Sequence, residues 1–339
     1  MSELLMRLMD ASGISGNEQE VRSIILKEMK KYVSSCKVDK FGNLICHKSG
    51  SKPTILLTAH MDEIGLMIKK IDEDGRIYMS DIGGMETLPL AGQRVMVPTK
   101  KGIIYGVITT HNITDSYPED TVPNIRGLFI DTGLDKKQLL ESGVEIGSYL
   151  TFERKALYFG NEKIISGKAL DDRIGCYVLI ELAKRLQKAS CEIYYIFTVQ
   201  EEIGLYGATT SIYNIDPDWA INVDATNAND ALELPTKIIG KGPCITIKDS
   251  EMISNKCISD WLKDIARKNK IPAQLEVSNF GTTDALNISV SKGGIPSAVV
   301  SIPVRNLHTT FGIAHMDDID NAVKLIESLL LNPPKTIIL

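Results

Sequence analysis

The sequence predicts an α/β domain interrupted by an all-β insertion, and two observations carry that prediction. Near-continuous apolar runs, among them TILLTA (54–59) and CEIYYIFTV (191–199), alternate with helical patterns in the outer parts of the chain. That is the texture of a sheet covered on both faces by helices. From about Ile68 to Ile164 helical periodicity nearly vanishes, and short runs such as QRVMV, KGIIYGVITTH and SYLTFERKALYF are separated by glycines and turn residues. The chain of 339 residues is too long for one small core, and roughly 100–200 residues per domain suggests two. The expected division is a discontinuous α/β domain over 1–67 and 165–339, with an inserted β domain over 68–164.

Taken in order, the first predicted helix follows Ser15, where S-G-N-E reads as a capping box closing on Glu18; Val21, Ile24, Ile25, Met29 and Val33 mark its apolar face. VDKFGNLICHK is strand-like, and TILLTAH reads as a buried strand. Beyond the insertion the pattern predicts a helix from Arg173 to Gln187 and strands from Glu192 to Val199 and from Trp219 to Val223. A helix near Ile258 to Lys268, a strand from Ser297 to Ile302 and a last helix from Asp318 complete the series.

The totals exclude some functions. A net charge of -5, from 38 basic and 43 acidic residues, offers no basic field for nucleic acid. The apolar stretches fall short of the ~20 residues that span a bilayer. MSELLMRLMDASG carries Glu3 and Asp10 where a signal peptide needs an apolar core, so a cytoplasmic protein is expected. The six cysteines are scattered with no C-x-x-C pair, and several sit in apolar runs where a reduced thiol behaves as a small hydrophobe.

Ligands of open α/β sheets bind beyond the carboxyl ends of the strands, and this chain repeatedly puts polar residues there. TILLTA ends in His60 with Asp62 close behind, CEIYYIFTV leads to Glu201 and Glu202, and WAINV ends in Asp224. SAVVSI leads through PVRNL to His308, and GKAL ends in Asp171 and Asp172. A single strand-end carboxylate can cap a helix or face water; five such places call for a common cause. Carboxylates gathered in one crevice repel one another unless a cation compensates them. Two imidazoles with several carboxylates and no thiolate suit Zn²⁺, Co²⁺ or Mn²⁺ better than Ca²⁺. Five ligands exceed the need of one tetrahedral ion and fit a pair of ions sharing a carboxylate, which two-metal hydrolases hold about 3.5–4 Å apart. Adjacent residues at a strand exit diverge, so Glu202 can ligate while Glu201 stays unligated as a general base.

The series TAHMDEIGLMI, GKALDDRIGCYVLIE, QEEIGLYGA, NVDAT, FGTTDA and IPVRNLHT resembles, in order and spacing, the TET-type dinuclear aminopeptidases of metallopeptidase family 42. The likeness runs over essentially the whole chain. It implies a mixed-sheet α/β/α catalytic domain of zinc-exopeptidase type whose inserted β-barrel is a dimerisation domain, acting on short peptides. It further implies two divalent metal ions per subunit, with His60, Asp171 and Asp224 on one ion and Asp171, Glu202 and His308 on the other. Glu201 becomes the general base, Asp62 orients His60, and Asp172 helps set a turn at Asp171 that carries a cis peptide in such enzymes. Twelve subunits, built from dimers, are the implied homo-oligomer. Departures lie around the last histidine, where Arg305 is followed by Asn306 and Leu307, and His308 by Thr309, Thr310, Phe311 and Gly312. The substrate preference is left open there. Of the other positions, His111 and the Thr283–Asp284 pair are candidates to touch substrate, while His47 and His315 read as solvated. Gly204 and Gly207 read as permitting close packing rather than binding.

Competing chemistries are a deacylase or deacetylase on the same scaffold, an endoglucanase, and a non-catalytic protein that kept the fold. A glycosidase needs carboxyl groups about 5–9.5 Å apart across a sugar, which sequence neighbours such as Glu201 and Glu202 do not suit.

Overall fold

The computed structural model describes residues 2–110 and 124–334. His111 lies outside the described residues. The chain divides into two compact units, one formed by Met1–Asp62, Ala156–Leu307 and Phe311–Leu339, the other by Glu63–Lys155 with His308–Thr310.

The first unit is built on a mixed sheet. Its central strands are the apolar runs: Cys191–Thr198, Ser51–His60, Trp219–Asn227 and Ser297–Arg305 lie side by side and parallel. Almost every residue of these four strands is buried, which explains why the sequence shows runs rather than alternation. At one edge the VDKFGNLICHK stretch supplies the turn and second strand of an antiparallel hairpin, Ser35–Val38 with Leu44–Lys48, joined to Cys191–Thr198. At the other side Gly312–His315, Ile164–Gly167 and Leu157–Tyr158 continue the sheet antiparallel, and Cys244–Lys248 pairs with Ser297–Arg305 and Gln274–Val277. Helix Leu170–Arg185 is buried along nearly its whole length and packs on the central strands and on helix Met316–Leu331.

Parallel register decides where the strand ends fall. Thr198 lies opposite His60, and Asn222 lies opposite Thr58. His60 and Asp224 therefore sit at the same level of neighbouring strands, with Glu201 just past the end of the third. The polar residues converge because the strands are in step.

The second unit closes a six-stranded barrel in the order Gly65–Ile71, Ile77–Ile82, Leu128–Asp131, Gly102–Thr110, Arg94–Thr99 and Tyr149–Phe152. Alternate residues such as Val95 and Val97, or Ile77 and Met79, point into its core, so each strand reads as period two. Gly106 permits close approach inside the barrel, since a Cβ there would lie 2.5 Å from Ile130 Cγ2. The barrel unit also carries a short helix, Lys136–Glu141, whose Asp135–Gln138 capping box is complete.

The expected α/β fold with a β-barrel is the one observed. The elements differ from the sequence reading in detail. A helix over Ser2–Asp10 precedes the one expected first, and that second helix runs over Gln19–Met29. The expected capping box is not formed. Glu18 is the N-cap residue itself and its Oε1 accepts the Gly16 N–H at 2.6 Å, while Ser15 spends its hydroxyl on Asp62. Buried Arg173 ties the first helix to the end of the His60 strand, donating from Nε to the Met61 carbonyl at 3.0 Å and from Nη1 to the carbonyls of Leu8 and Ala11 at 2.5 and 3.1 Å.

Candidate metal centre

His60 is the last residue of its strand and only 2% exposed. Its Nε2 lies 2.9 Å from Asp171 Oδ1 and 3.7 Å from Asp224 Oδ1, while its Nδ1 lies 3.5 Å from Asp62 Oδ1. Asp171 reaches it from the start of helix Leu170–Arg185, where Asp171 and Asp172 depart from helical geometry, the peptide bond between them is cis, and Ala169 before them is left-handed at φ 53. Three groupings place one donor atom per residue within 4.8 Å of the others: His60, Asp171 and Glu202; His60, Glu201 and Asp224; Asp171, Asp172 and Asp224.

Four carboxylates, Asp62, Asp224, Asp172 and Asp284, are held by hydrogen bonds. Asp62 is fully buried; its Oδ1 accepts the backbone N–H of Glu201 at 3.0 Å, and its Oδ2 accepts the Ser15 hydroxyl at 2.6 Å and the backbone N–H of Glu202 at 3.3 Å. The well-formed bonds of Asp62 thus go to the doubled glutamate and to Ser15, and its 3.5 Å approach to His60 is a charge contact rather than a hydrogen bond. Asp224 Oδ1 accepts the Ala225 N–H at 2.7 Å, and its Oδ2 accepts from Asn222 Nδ2 at 3.2 Å. Asn222 is in turn fixed by Thr58, whose hydroxyl donates to its Oδ1 at 2.6 Å. Asp172 Oδ1 accepts the Gly175 N–H at 2.8 Å, and Gly175 must lack a side chain because a Cβ would lie 2.3 Å from Asp172 Oδ2. Asp284, at the start of helix Asp284–Ser289, bonds to Thr198 on the strand that leads to Glu201, and Thr283 caps that helix.

Charge crowding marks the cluster. Burial first, then the charges of Asp224, Asp284 and Glu202, push Glu201 well above the usual carboxylate value against the pull of His60. Burial also raises Asp224, opposed by its contact with His60, and burial together with the Asp224 charge holds Asp172 well above the ordinary range. Asp284 is pushed up to about 7 by burial, in spite of its bond from Thr198. For His60 burial acts downward, yet Glu201, Asp171, Asp224 and Asp62 together outweigh it and the imidazole is raised. Burial works against Asp62 too, but its contact with His60, followed by the bonds it accepts from the Ser15 hydroxyl and the Glu201 N–H, leaves it lowered. A set of buried carboxylates in conflict, a buried imidazole among them, and a buried Asp172 Oδ2 with no hydrogen-bond partner fit a divalent cation of the oxygen- and nitrogen-binding kind.

His308 belongs to the second unit, where it is half-buried, holds φ 56 and places Nδ1 2.8 Å from the Gly84 carbonyl oxygen. Ahead of it, Arg305 forms a two-pronged pair with Asp230 at 2.8 and 2.7 Å. His315 caps helix Met316–Leu331 by accepting the Asp317 N–H, and His47 is half-buried against Glu192 and Tyr194. Gly207 packs as expected of a glycine at a close crossing: a Cβ there would lie 2.2 Å from the Val199 carbonyl oxygen. The sequence reading misses Ser15, Thr58 and Asn222 as supports. Only the cross-strand pairing of Thr58 with Asn222 points to the latter two.

A family model described as M42 glutamyl aminopeptidase matches residues 42–325. A putative aminopeptidase of Acetivibrio thermocellus is 40% identical over 333 residues, covering 96% of this chain and 97% of that protein. Among solved structures, the TET aminopeptidase of a marine sediment Thaumarchaeota archaeon aligns with a TM-score of 0.94 at 33% identity over 98% of this chain and 97% of that one. The TET1 peptidase of Pyrococcus horikoshii, described as assembling into a tetrahedron or a large octahedral shell, aligns with a TM-score of 0.87 at 33% identity over 98% and 99% of the two chains.

Proposed function

The chain belongs to the M42 glutamyl aminopeptidase family and is an aminopeptidase, a hydrolase of peptide bonds; from that premise we propose that it removes N-terminal residues from short peptides with two divalent metal ions, zinc or cobalt before manganese. His60, Asp171 and Asp224 would hold one ion, with Asp171 shared to a second held by Glu202 and, as the sequence motif assigns, His308. Bound there, the ions supply Lewis-acid polarisation of the scissile carbonyl and a more acidic water.

The chain's own residues do the rest. Glu201 takes the proton of the attacking water and returns it to the leaving amine. Burial first raises its affinity for a proton, as suits a group that must accept one and give it back. Asp62 fixes the two consecutive peptide N–H groups and thereby the divergence of the Glu201 and Glu202 side chains. Thr58 and Asn222 keep the Asp224 carboxylate turned toward His60. The observation that carries the reading is that His60 shares donor separations within 4.8 Å with Asp171 and Glu202 in one grouping and with Glu201 and Asp224 in another.

The remaining proposals are coarser. We place the protein in the cytoplasm, with no nucleic-acid or membrane partner; no described helix is long and apolar enough to cross a membrane. The inserted barrel acts as a dimerisation domain, and dimers build a homo-dodecamer; that the Pyrococcus horikoshii relative is described as assembling into a tetrahedron or a large octahedral shell supports self-assembly into a closed particle. Glu201→Gln tests the mechanism. It should keep both metals and lose about 10²–10⁴-fold in kcat, the usual worth of a general base; near-native turnover in the metal-loaded variant would remove Glu201 from that role.

A further inference from the structure

Cys36 and Cys46 face each other across the edge hairpin, paired directly in register. The ladder hydrogen bond from the Asp39 N–H to the Asn43 carbonyl, three positions further along, makes 39 and 43 a hydrogen-bonded pair. Alternation along the ladder then makes 36 and 46 a non-hydrogen-bonded pair, the kind in which side chains stand closest, with Cα atoms about 4.5 Å apart. That spacing lies inside the window a disulfide requires, about 4.4–6.8 Å. The two Sγ atoms are 2.6 Å apart. Both cysteines are free thiols, Cys36 half-buried on an otherwise exposed edge strand and Cys46 buried beneath it.

We propose that Cys36 and Cys46 form a reversible thiol modification site that reacts with low-molecular-weight disulfides and closes into an intrachain cross-strand disulfide. The reaction balances as two exchanges. The Cys36 thiolate attacks one sulfur of a small disulfide RSSR, the S–S bond breaks, and one RS⁻ leaves and takes up the proton that Cys36 gave. Cys46 then attacks the Cys36 sulfur of the mixed disulfide, releasing the second RSH; the protein loses two hydrogens and RSSR becomes two RSH. The order of attack follows from exposure and environment. Cys36 is the thiol a solute can reach, and the bond from Cys46, followed by the nearby Lys30, lowers its pKa against the opposing effect of burial, while Cys46 is raised by that same contact and by burial. The bridge would staple the hairpin to itself at the edge of the sheet. Leu44–Lys48 is the direct neighbour of Cys191–Thr198, with Cys46 opposite Tyr195, so the staple adjoins the strand that delivers Glu201 and Glu202. The other four cysteines are placed differently: Cys176, Cys191 and Cys244 are buried, and Cys257 lies in the first turn of a separate helix, Lys256–Asn269.

The test uses the full-length protein and hydroxyethyl disulfide as the probe. Of the six thiols counted after denaturation of the reduced protein, two should disappear on treatment. Peptide mapping should join the segments containing Cys36 and Cys46, and reductant should restore the count. Cys46→Ser should instead retain the probe as a stable mixed disulfide on Cys36, whereas Cys36→Ser should leave Cys46 unmodified in the folded protein. An unchanged thiol count in the wild type, a bridge to another cysteine, or a mixed disulfide on Cys36 that never closes would each overturn the proposal.

Discussion

Replacing Asp62 by asparagine keeps the side chain's shape while removing its charge and one acceptor. In the native protein the two carboxylate oxygens take the Glu201 N–H at 3.0 Å, the Glu202 N–H at 3.3 Å and the Ser15 hydroxyl at 2.6 Å. An amide oxygen retained toward Glu201 puts the amide nitrogen at the Oδ2 position, where Ser15 can rotate its hydroxyl to accept but the Glu202 N–H meets another donor. One charge-assisted bond, about 1.5–3 kcal/mol, is lost outright, and weakening of the others brings the total to about 3–4 kcal/mol. Where all of that is felt at the transition state it corresponds to roughly 10²–10³-fold, at 1.36 kcal/mol per tenfold; losing an outer support of a metal site commonly costs about 10–100-fold. Steady-state kinetics on an aminoacyl chromogenic amide, at matched metal content, should therefore show kcat reduced by on the order of 10²-fold with a smaller change in KM. A variant within threefold of wild type would refute the idea that Asp62 sets the geometry of the two glutamates.

Two further expectations rest on other parts of the molecule. Gly207→Ala drives a Cβ to 2.2 Å from the Val199 carbonyl and 2.6 Å from its nitrogen, contacts with backbone that cannot swing aside; the urea midpoint should fall by the equivalent of about 1–3 kcal/mol, and an unchanged midpoint would count against the packing described. Asp230 is held below the usual carboxylate value, first by its bond to Arg305. A depressed folded pKa contributes stability above the unfolded value, about 3.9, and that contribution is lost as pH falls through the folded one. The stability gap between wild type and Asp230→Asn should therefore be constant above roughly pH 5 and close as acid is added below about pH 4. A gap independent of pH in urea titrations would show that the Arg305 pair does not act through charge.

Much of the site is legible in the amino-acid sequence because its residues end apolar runs. His60, Asp171, Glu202 and Asp224 each interrupt a hydrophobic segment at the place where a strand or turn must open, and period alone reveals that. The supports are not legible. Ser15 looks like half of a capping box, a local pattern, but its hydroxyl goes to Asp62, 47 residues away, because the tertiary contact offers a buried anion. Thr58 and Asn222 read as ordinary strand residues, and only their register across two strands gives them a role. The same limit applies to Cys36 and Cys46, which are ten residues apart, Cys36 just ahead of the strand-like VDKFGNLICHK stretch and Cys46 within it, and become partners only when a hairpin forms. The helix over Lys136–Glu141 escapes notice for another reason: its Asp135–Gln138 cap is visible, but six residues are too few to show a helical period against the alternating pattern around them.

The most direct test is crystallography of Glu201→Gln grown with zinc or cobalt, with anomalous data at the metal edge. Two strong peaks within bonding distance of His60, Asp171, Glu202 and Asp224 are predicted. Density explained by water alone at saturating metal, or carboxylates splayed apart without an ion between them, would contradict the account.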